Sequence, residues 1–334
     1  MTAIDLAAHY RGRRVLVTGG LGFIGSNLAR VLVEHGADVT VIDSLAPGHG
    51  GDRRNVAGLE LEIAVADVRN RAILEPLMRG REVVFNLVGR TGHVASLDDP
   101  LGDLGSNLQA PLAVLETLRE TGSRARVVFS STRQVYGCPR YQPVDEAHPT
   151  NPTDVNGVHK LAAERIHLLY GRLHGLGATV LRLANVHGQN MQIDDGGPLL
   201  NVWVYNAVAG RELQVFGDGL QRRDLLHVDD AVSALLLAGA RTKAAGRVYN
   251  VGGGAPVRLV DLAERLVAAA GGGSHRVTPF PAERVVIDVG DFCADDGLIR
   301  RELGWEPRVS LDAGLASTLA SARERLARGR ERAA

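Results

Sequence analysis

Arg14-Val15-Leu16-Val17-Thr18-Gly19-Gly20-Leu21-Gly22-Phe23-Ile24-Gly25-Ser26-Asn27 is the stretch whose reading decides the fold. Val15, Leu16 and Val17 form the short apolar run of a strand buried in a parallel sheet, and Gly19, Gly22 and Gly25 follow at steps of three. The first glycine permits the tight turn out of the strand. The second lets backbone approach a pyrophosphate, and the third lets the new helix pack on the sheet. Free N–H groups at the start of that helix, around Phe23 and Ile24, then face the anion. A second strand over 37–43 ends in Asp43, at the distance where an acid meets the ribose hydroxyls of a dinucleotide. An acid there favours NAD over NADP, because it repels a 2′-phosphate.

Composition leaves room for such a fold and narrows its partners. The chain of 334 residues, 45% of them hydrophobic, suffices for one large domain or two unequal ones. Its 38 basic and 38 acidic residues cancel, so no global electrostatic footprint for nucleic acid exists. Cys138 and Cys293 are the only cysteines and lack metal-ligand spacing, which argues against a zinc site or a disulfide scaffold. No run has the length of a membrane span or the pattern of an export signal, and the expected location is the cytoplasm.

Beyond the cradle, strand and helix patterns alternate. Expected are a helix over 26–34 stopped by Gly36, a strand over 59–65, a helix over 69–79 and a strand over 82–89. Asp67, followed by Val68, either hydrogen-bonds an adenine edge or caps the helix over 69–79. Leu87 and the small residues after it make room for a nicotinamide ribose. A polar loop over 90–103 containing His93, a helix over 104–121, a strand over 126–132 and a proline-studded loop over 137–152 come next. A helix over 156–174 presents Lys160 one turn in, and a strand over 178–183 leads to Asn185. This alternation implies an α/β doubly wound parallel sheet of the Rossmann type. After Asn185 the pattern changes to a polar stretch over 188–199, a helix over 200–209, a strand over 213–216 and a helical region over 224–239. A strand over 248–251, a helix over 259–270, a flexible hinge over 271–274 and a charged, solvated helix over 318–334 complete the chain. Residues 1–185 read as the NAD-binding domain, with about 226–252 returning to it, and 186–334 mainly as a smaller C-terminal α/β substrate lobe.

The chain resembles the extended short-chain dehydrogenases/reductases, the NAD-dependent nucleotide-sugar epimerases and dehydratases of which UDP-glucose 4-epimerase is typical. The resemblance spans nearly the whole length. It rests on the glycine stretch, Ser130-Ser131-Thr132-Arg133-Gln134-Val135-Tyr136-Gly137, Leu181-Arg182-Leu183-Ala184-Asn185-Val186-His187-Gly188 and Gly217-Asp218-Gly219-Leu220-Gln221-Arg222-Arg223-Asp224. Val228-Asp229-Asp230, Tyr249-Asn250-Val251-Gly252 and Leu303-Gly304-Trp305-Glu306-Pro307 extend it. It implies a nucleoside diphosphate sugar bound between sheet and lobe, with NAD retained and recycled. It also implies that Thr132 hydrogen-bonds the sugar hydroxyl being oxidised and that Lys160 holds the nicotinamide ribose. A homodimer is implied through the helices over 104–121 and 156–174. Leu108, Leu112, Leu115 and Leu118 supply a stripe that fits such a face or packing within one chain.

Departures from the family pattern are as informative. The tyrosine that takes the proton in relatives, four residues before the lysine, is replaced by Asn156, which has no basic group and at most hydrogen-bonds the reacting oxygen or a water. His159 is the nearest substitute base in sequence, yet it is rotated about 100° from Lys160 on a helix. Tyr136, His93 and His187 are further candidates, each better read as packing or hydrogen bonding; His187 stands where relatives have tyrosine, which implies a place near the diphosphate. The Asp-Glu pair of the 4,6-dehydratases is Arg133-Gln134 here, so elimination by that route loses its acid, while Arg133 offers a cation to a carboxylate or phosphate. Arg223 matches a diphosphate arginine. A second such arginine is missing from the run over 287–291, where Asp288 would repel phosphate and Arg284 would compensate. The substrate-binding set is therefore Arg133, Asn185, His187 and Arg223. The leading reading is an atypical 4-epimerase-like isomerase using bound NAD; the alternatives are a noncatalytic binding protein and a net dehydrogenase or reductase.

Overall fold

The structure, a computed structural model, describes residues 4–193, 198–281 and 288–330. Its centre is a seven-stranded sheet. In chain order the first six strands are β1 (Arg14–Thr18), β2 (Asp38–Asp43), β3 (Glu62–Val65), β4 (Val83–Asn86), β5 (Arg126–Thr132) and β6 (Gly177–Leu183). Across the sheet they run β6-β5-β4-β1-β2-β3, with the strand Val248–Val251 outside β6, and every pairing is parallel. The order reverses between β1 and β4, and a crevice for ligands opens at the C-terminal ends of strands at such a point.

Alternation of side chains along the strands divides the core. Val15 and Val17 of β1, with Val41, Phe85 and Leu181, pack beneath Leu28 and Leu32 of the helix Phe23–Glu34 and Leu235 of the helix Val228–Ala240. Leu16, Ile42, Val84 and Val127 point the other way, against Leu74, Met78, Val114, Leu115 and Leu118. The Leu115–Leu118 part of the apolar stripe thus packs within the chain.

Ion pairing fixes the helix Val155–His174 on that second face. Glu164 and Arg182 of β6, with side chains 1% and 4% exposed, meet at 2.7 Å. Ser131 Oγ donates to the same carboxylate. Arg182 also donates to the Tyr136 hydroxyl at 2.9 Å, which donates to Asn250 Oδ1 at 2.7 Å.

The smaller lobe has its own core of Trp203, Leu213, Val215, Leu262, Leu266, Leu315 and Leu319. Several expectations are corrected here. The segment over 90–103 holds two short helices, His93–Asp98 and Pro100–Leu104, rather than a loop. Pro100 stands at the first helical position, where its missing N–H costs nothing, and Asp99 caps that turn through Gly102 N–H at 3.0 Å. The region over 224–239 begins with a strand, Leu225–His227, paired with Asn185–His187, before the helix starts at Val228. Residues over 271–274 lead into an unanticipated strand, His275–Thr278, parallel to Leu213–Phe216. The last helix is Leu311–Arg330, and instead of being only a solvated face it buries Leu315, Leu319 and Ala322.

Candidate functional site

The glycine turn joins β1 to the helix Phe23–Glu34. Gly19 has φ +68°, and a Cβ there would stand 3.0 Å from the Leu87 carbonyl oxygen; at Gly25 a Cβ would fall 2.2 Å from Gly19 O. Both positions therefore require glycine. Gly22 caps the helix with no side-chain hydrogen bond, which leaves first-turn N–H groups available to an anion. Asp43, at the end of β2, accepts Leu21 N–H at 3.1 Å and Leu45 N–H at 2.9 Å. Its carboxylate is thereby pinned beside the turn and keeps lone pairs for ribose hydroxyls. These residues fit the pyrophosphate and ribose of NAD.

Asp67 does not cap the following helix, one of the two roles read from the sequence. It accepts Arg69 N–H at 2.8 Å and pairs with the Arg69 guanidinium at 2.6 Å, which holds its carboxyl below the usual range, while Asn70 caps the helix Arg71–Met78. Val68 is buried in the core with Leu74 and Val84. Leu87 is partly buried and lines the turn opposite Gly19.

At the end of β5, Thr132 is partly exposed, and its hydroxyl accepts Gln134 N–H at 3.2 Å. Lys160 approaches from the helix Val155–His174; Nζ donates to Ser130 O at 3.2 Å and lies 4.9 Å from the centre of the Phe129 ring. A Cβ on Gly89 would stand 2.9 Å from that nitrogen, so the small residue after β4 is what admits the lysine. Burial pushes the Lys160 pKa down to about 8, against the opposing pull of Asp103 and Glu164.

Asn156 lies one turn before Lys160 and is 5% exposed. Its Nδ2 donates to Arg90 O at 2.9 Å and to Asp103 Oδ2 at 3.0 Å, so both amide protons are committed and only Oδ1 remains to meet a ligand. Asp103 is fully buried and also accepts Asn107 Nδ2 at 2.9 Å. On its other oxygen it accepts His159 Nδ1 at 2.7 Å. His159 therefore joins this group. Its rotation from Lys160 is the wrong reference; it lies three residues from Asn156, about 60° around the helix, and the two share one carboxylate. Asp103 and Asn107 were not singled out by sequence reasoning. Their signal is polar residues four apart, followed in the later helix by polar residues three apart, each set on one helical face. Asn107 sits in a π-helical turn, Gly105–Gln109, which aims it at Arg90.

Other candidates separate. Tyr136 is fully buried, locked by Arg182 and Asn250, and its pKa is pushed up to about 12 by burial, which removes it as a base. His187 is 1% exposed and shares a hydrogen bond of 3.1 Å with Thr318 of the last helix. Burial first, and His227 second, push its pKa down to about 3. It packs the lobe, a correction to the expected place near a diphosphate. Arg133 and Asn185 do meet, Nε donating to Oδ1 at 2.7 Å. Arg223 donates to Gly290 O at 2.6 Å and Gln221 Oε1 at 2.7 Å, and pairs with Asp288 at 3.3 Å. Asp288 is thus that arginine's counter-ion rather than an isolated repulsive charge. Arg284 lies outside the described residues. His93 opens the short helix His93–Asp98. No cluster of described residues could hold a metal ion, and no described helix is long and apolar enough to cross a membrane.

A sequence model of the NAD dependent epimerase/dehydratase family matches residues 15–252. The chain is 31% identical over 311 residues to a UDP-glucose 4-epimerase of Mycolicibacterium smegmatis, covering 92% of this chain and 97% of that one. A UDP-glucose 4-epimerase of Thermotoga maritima, solved with UDP-glucose, superposes with TM-score 0.85 at 30% identity over 94% of this chain and 99% of that one. A dTDP-glucose 4,6-dehydratase of Streptomyces venezuelae, solved with NAD bound, gives TM-score 0.84 at 29% identity over 93% and 97%.

The depressed Lys160 pKa makes stability depend on pH. The folded chain releases this proton near pH 8, whereas the unfolded chain keeps it to about 10.5, so between these values the unfolded state binds more protons. Wild-type stability therefore rises with pH across that window relative to Lys160→Met, by roughly 3–4 kcal/mol in full. Denaturant melts of both proteins at stepped pH read this directly; parallel profiles would contradict it.

Proposed function

Because this chain belongs to the NAD dependent epimerase/dehydratase family, we propose that it is a 4-epimerase-like isomerase of a nucleoside diphosphate sugar. The observation that carries the reading is the convergence, at one edge of the sheet, of the glycine turn with Asp43, the Thr132 hydroxyl and the buried Lys160 ammonium. Bound NAD supplies a reversible hydride acceptor. The chain's own residues bind and orient: Lys160 offers its charge to the nicotinamide ribose, Thr132 hydrogen-bonds the reacting hydroxyl, and Asn185, Arg223 and Arg133 receive the rest of the substrate. Residues 186–334, less the return over about 226–252, serve as the substrate lobe.

Asn156 does not carry the proton, since its protons are committed and its oxygen is not basic. We assign that task to His159. Donation of Nδ1–H to Asp103 fixes the tautomer and leaves Nε2 as the proton acceptor, an arrangement in which a buried carboxylate stabilises the imidazolium that forms. Arg133 and Gln134 provide no acid for dehydration, which favours epimerisation over elimination. The enzyme acts in the cytoplasm as a homodimer. Val158, Leu169 and Leu173, 50%, 39% and 65% exposed on one face of the helix Val155–His174, provide the apolar surface for pairing.

Proton NMR of the purified chain with NAD and a panel of UDP-, dTDP-, GDP- and CDP-sugars tests the activity. The expected result is a rearranged sugar without net NADH, slowed about a hundredfold in His159→Gln with cofactor affinity kept. No change across the panel would favour a noncatalytic binding protein, accumulation of NADH a dehydrogenase, and an unaltered rate in His159→Gln would remove that residue from proton transfer. Light scattering should give twice the chain mass; a monomer would remove the dimer.

A further inference from the structure

One buried charge in the site has no carboxylate in contact with it among the described residues. Arg133 follows Thr132 directly at the end of β5 and is 8% exposed. Its guanidinium is fixed on two sides, by Nε donating to Asn185 Oδ1 at 2.7 Å and by the buried Phe292 ring, whose centre is 5.2 Å away. Nη1 is buried without a hydrogen-bond partner among the described residues. Burial first, then the Arg223 cation, pull the Arg133 pKa down to about 9.

The nearest carboxylates do not neutralise it by contact. Asp224 accepts Gly253 N–H at 2.7 Å and Ala294 N–H at 3.0 Å, Asp288 accepts Gln221 at 2.7 Å and pairs with Arg223, and Asp154 caps its helix through Gly157 N–H at 2.7 Å. An unpaired guanidinium in a desolvated site is strongly unfavourable unless an anion completes it. A planar fork held at Nε and by a ring face, with Nη1 unpartnered, matches a carboxylate.

We propose that Arg133 seats a carboxylate on the sugar of the substrate, so that the protein acts on nucleoside diphosphate sugar acids in preference to neutral hexoses. This rests on the nucleotide-sugar reading above. Two features favour the sugar over the diphosphate as the source of the anion. Arg133 is the residue next to Thr132, whose hydroxyl meets the reacting sugar, and Asn185 holds it across the ends of β5 and β6. Arg223, on the short strand Arg222–Arg223 and held by Asp288, is the arginine that the family resemblance gives to the phosphates.

Calorimetric titration of the full chain tests this with UDP, dTDP, GDP and CDP, then with the glucose and glucuronate conjugates of the nucleotide that binds best. The glucuronate should bind about 10–100-fold more tightly than the glucose conjugate. Arg133→Gln should erase that difference while affinity for the bare nucleoside diphosphate stays within about threefold. Arg133→Met, which keeps apolar contact with Phe292 without charge, should behave alike and guards against a folding defect in the first variant. Equal affinity of the wild-type chain for the two conjugates overturns the proposal. So does an Arg133→Gln variant that weakens the bare diphosphate as much as the glucuronate, since the cation would then serve the phosphates. Failure of every nucleoside diphosphate to bind overturns the nucleotide-sugar reading itself, and the first series separates that outcome from the other two.

Discussion

The Glu164–Arg182 ion pair is the constraint on which the site depends. Both charges are buried, and separating them would strand each in the core, a loss of about 3–5 kcal/mol. Glu164 stands on the same helical face as Lys160 and Asn156, one and two turns further along, so the bond that ties it to β6 also sets how those two side chains stand over the sheet edge. Ser131 Oγ joins the pair from β5, and Tyr136 and Asn250 extend it to the strand Val248–Val251. A rigid scaffold of this kind holds a lysine close to a carbonyl and a ring without solvent to soften the charge.

Two electrostatic arrangements are built on that frame. Around Asn156, one buried carboxylate gathers Asn107, Asn156 and His159 and bridges two helices. Around Arg133, a buried guanidinium keeps Nη1 without a partner among the described residues. On the proposals above, the first arrangement bears on how a proton moves and the second on what the substrate carries.

Most of the framework is legible in the sequence. The strands Arg126–Thr132, Leu213–Phe216 and Val248–Val251 and the helix Leu259–Ala270 follow from short apolar runs or a helical period bounded by turn residues. Legibility fails where one local signal has two meanings. The segment over 90–103 reads as a loop although Pro100 opens a helix in it, and Leu225–His227 reads as the first turn of a helix because three residues carry no period. The charged end of the chain hides Leu315, Leu319 and Ala322, which become core only when the second lobe closes on them. In the site, spacing points to the glycine turn, and Thr132 and Lys160 are singled out by the family resemblance. The Asp103 cluster joins residues more than fifty positions apart, and His187 is turned into the lobe by Thr318, a partner far along the chain. The His187 contact has no local signature, and the Asp103 cluster shows only as polar residues spaced along one face of each helix.

The central claim, that this edge of the sheet isomerises a sugar by removing and returning the same hydrogen, is tested most directly with a nucleotide sugar deuterated at the reacting C4 position. Mass spectrometry of the epimerised product made in ordinary water should find the deuterium retained at full occupancy. Replacement of the label by solvent hydrogen would contradict the account and require enolisation in its place.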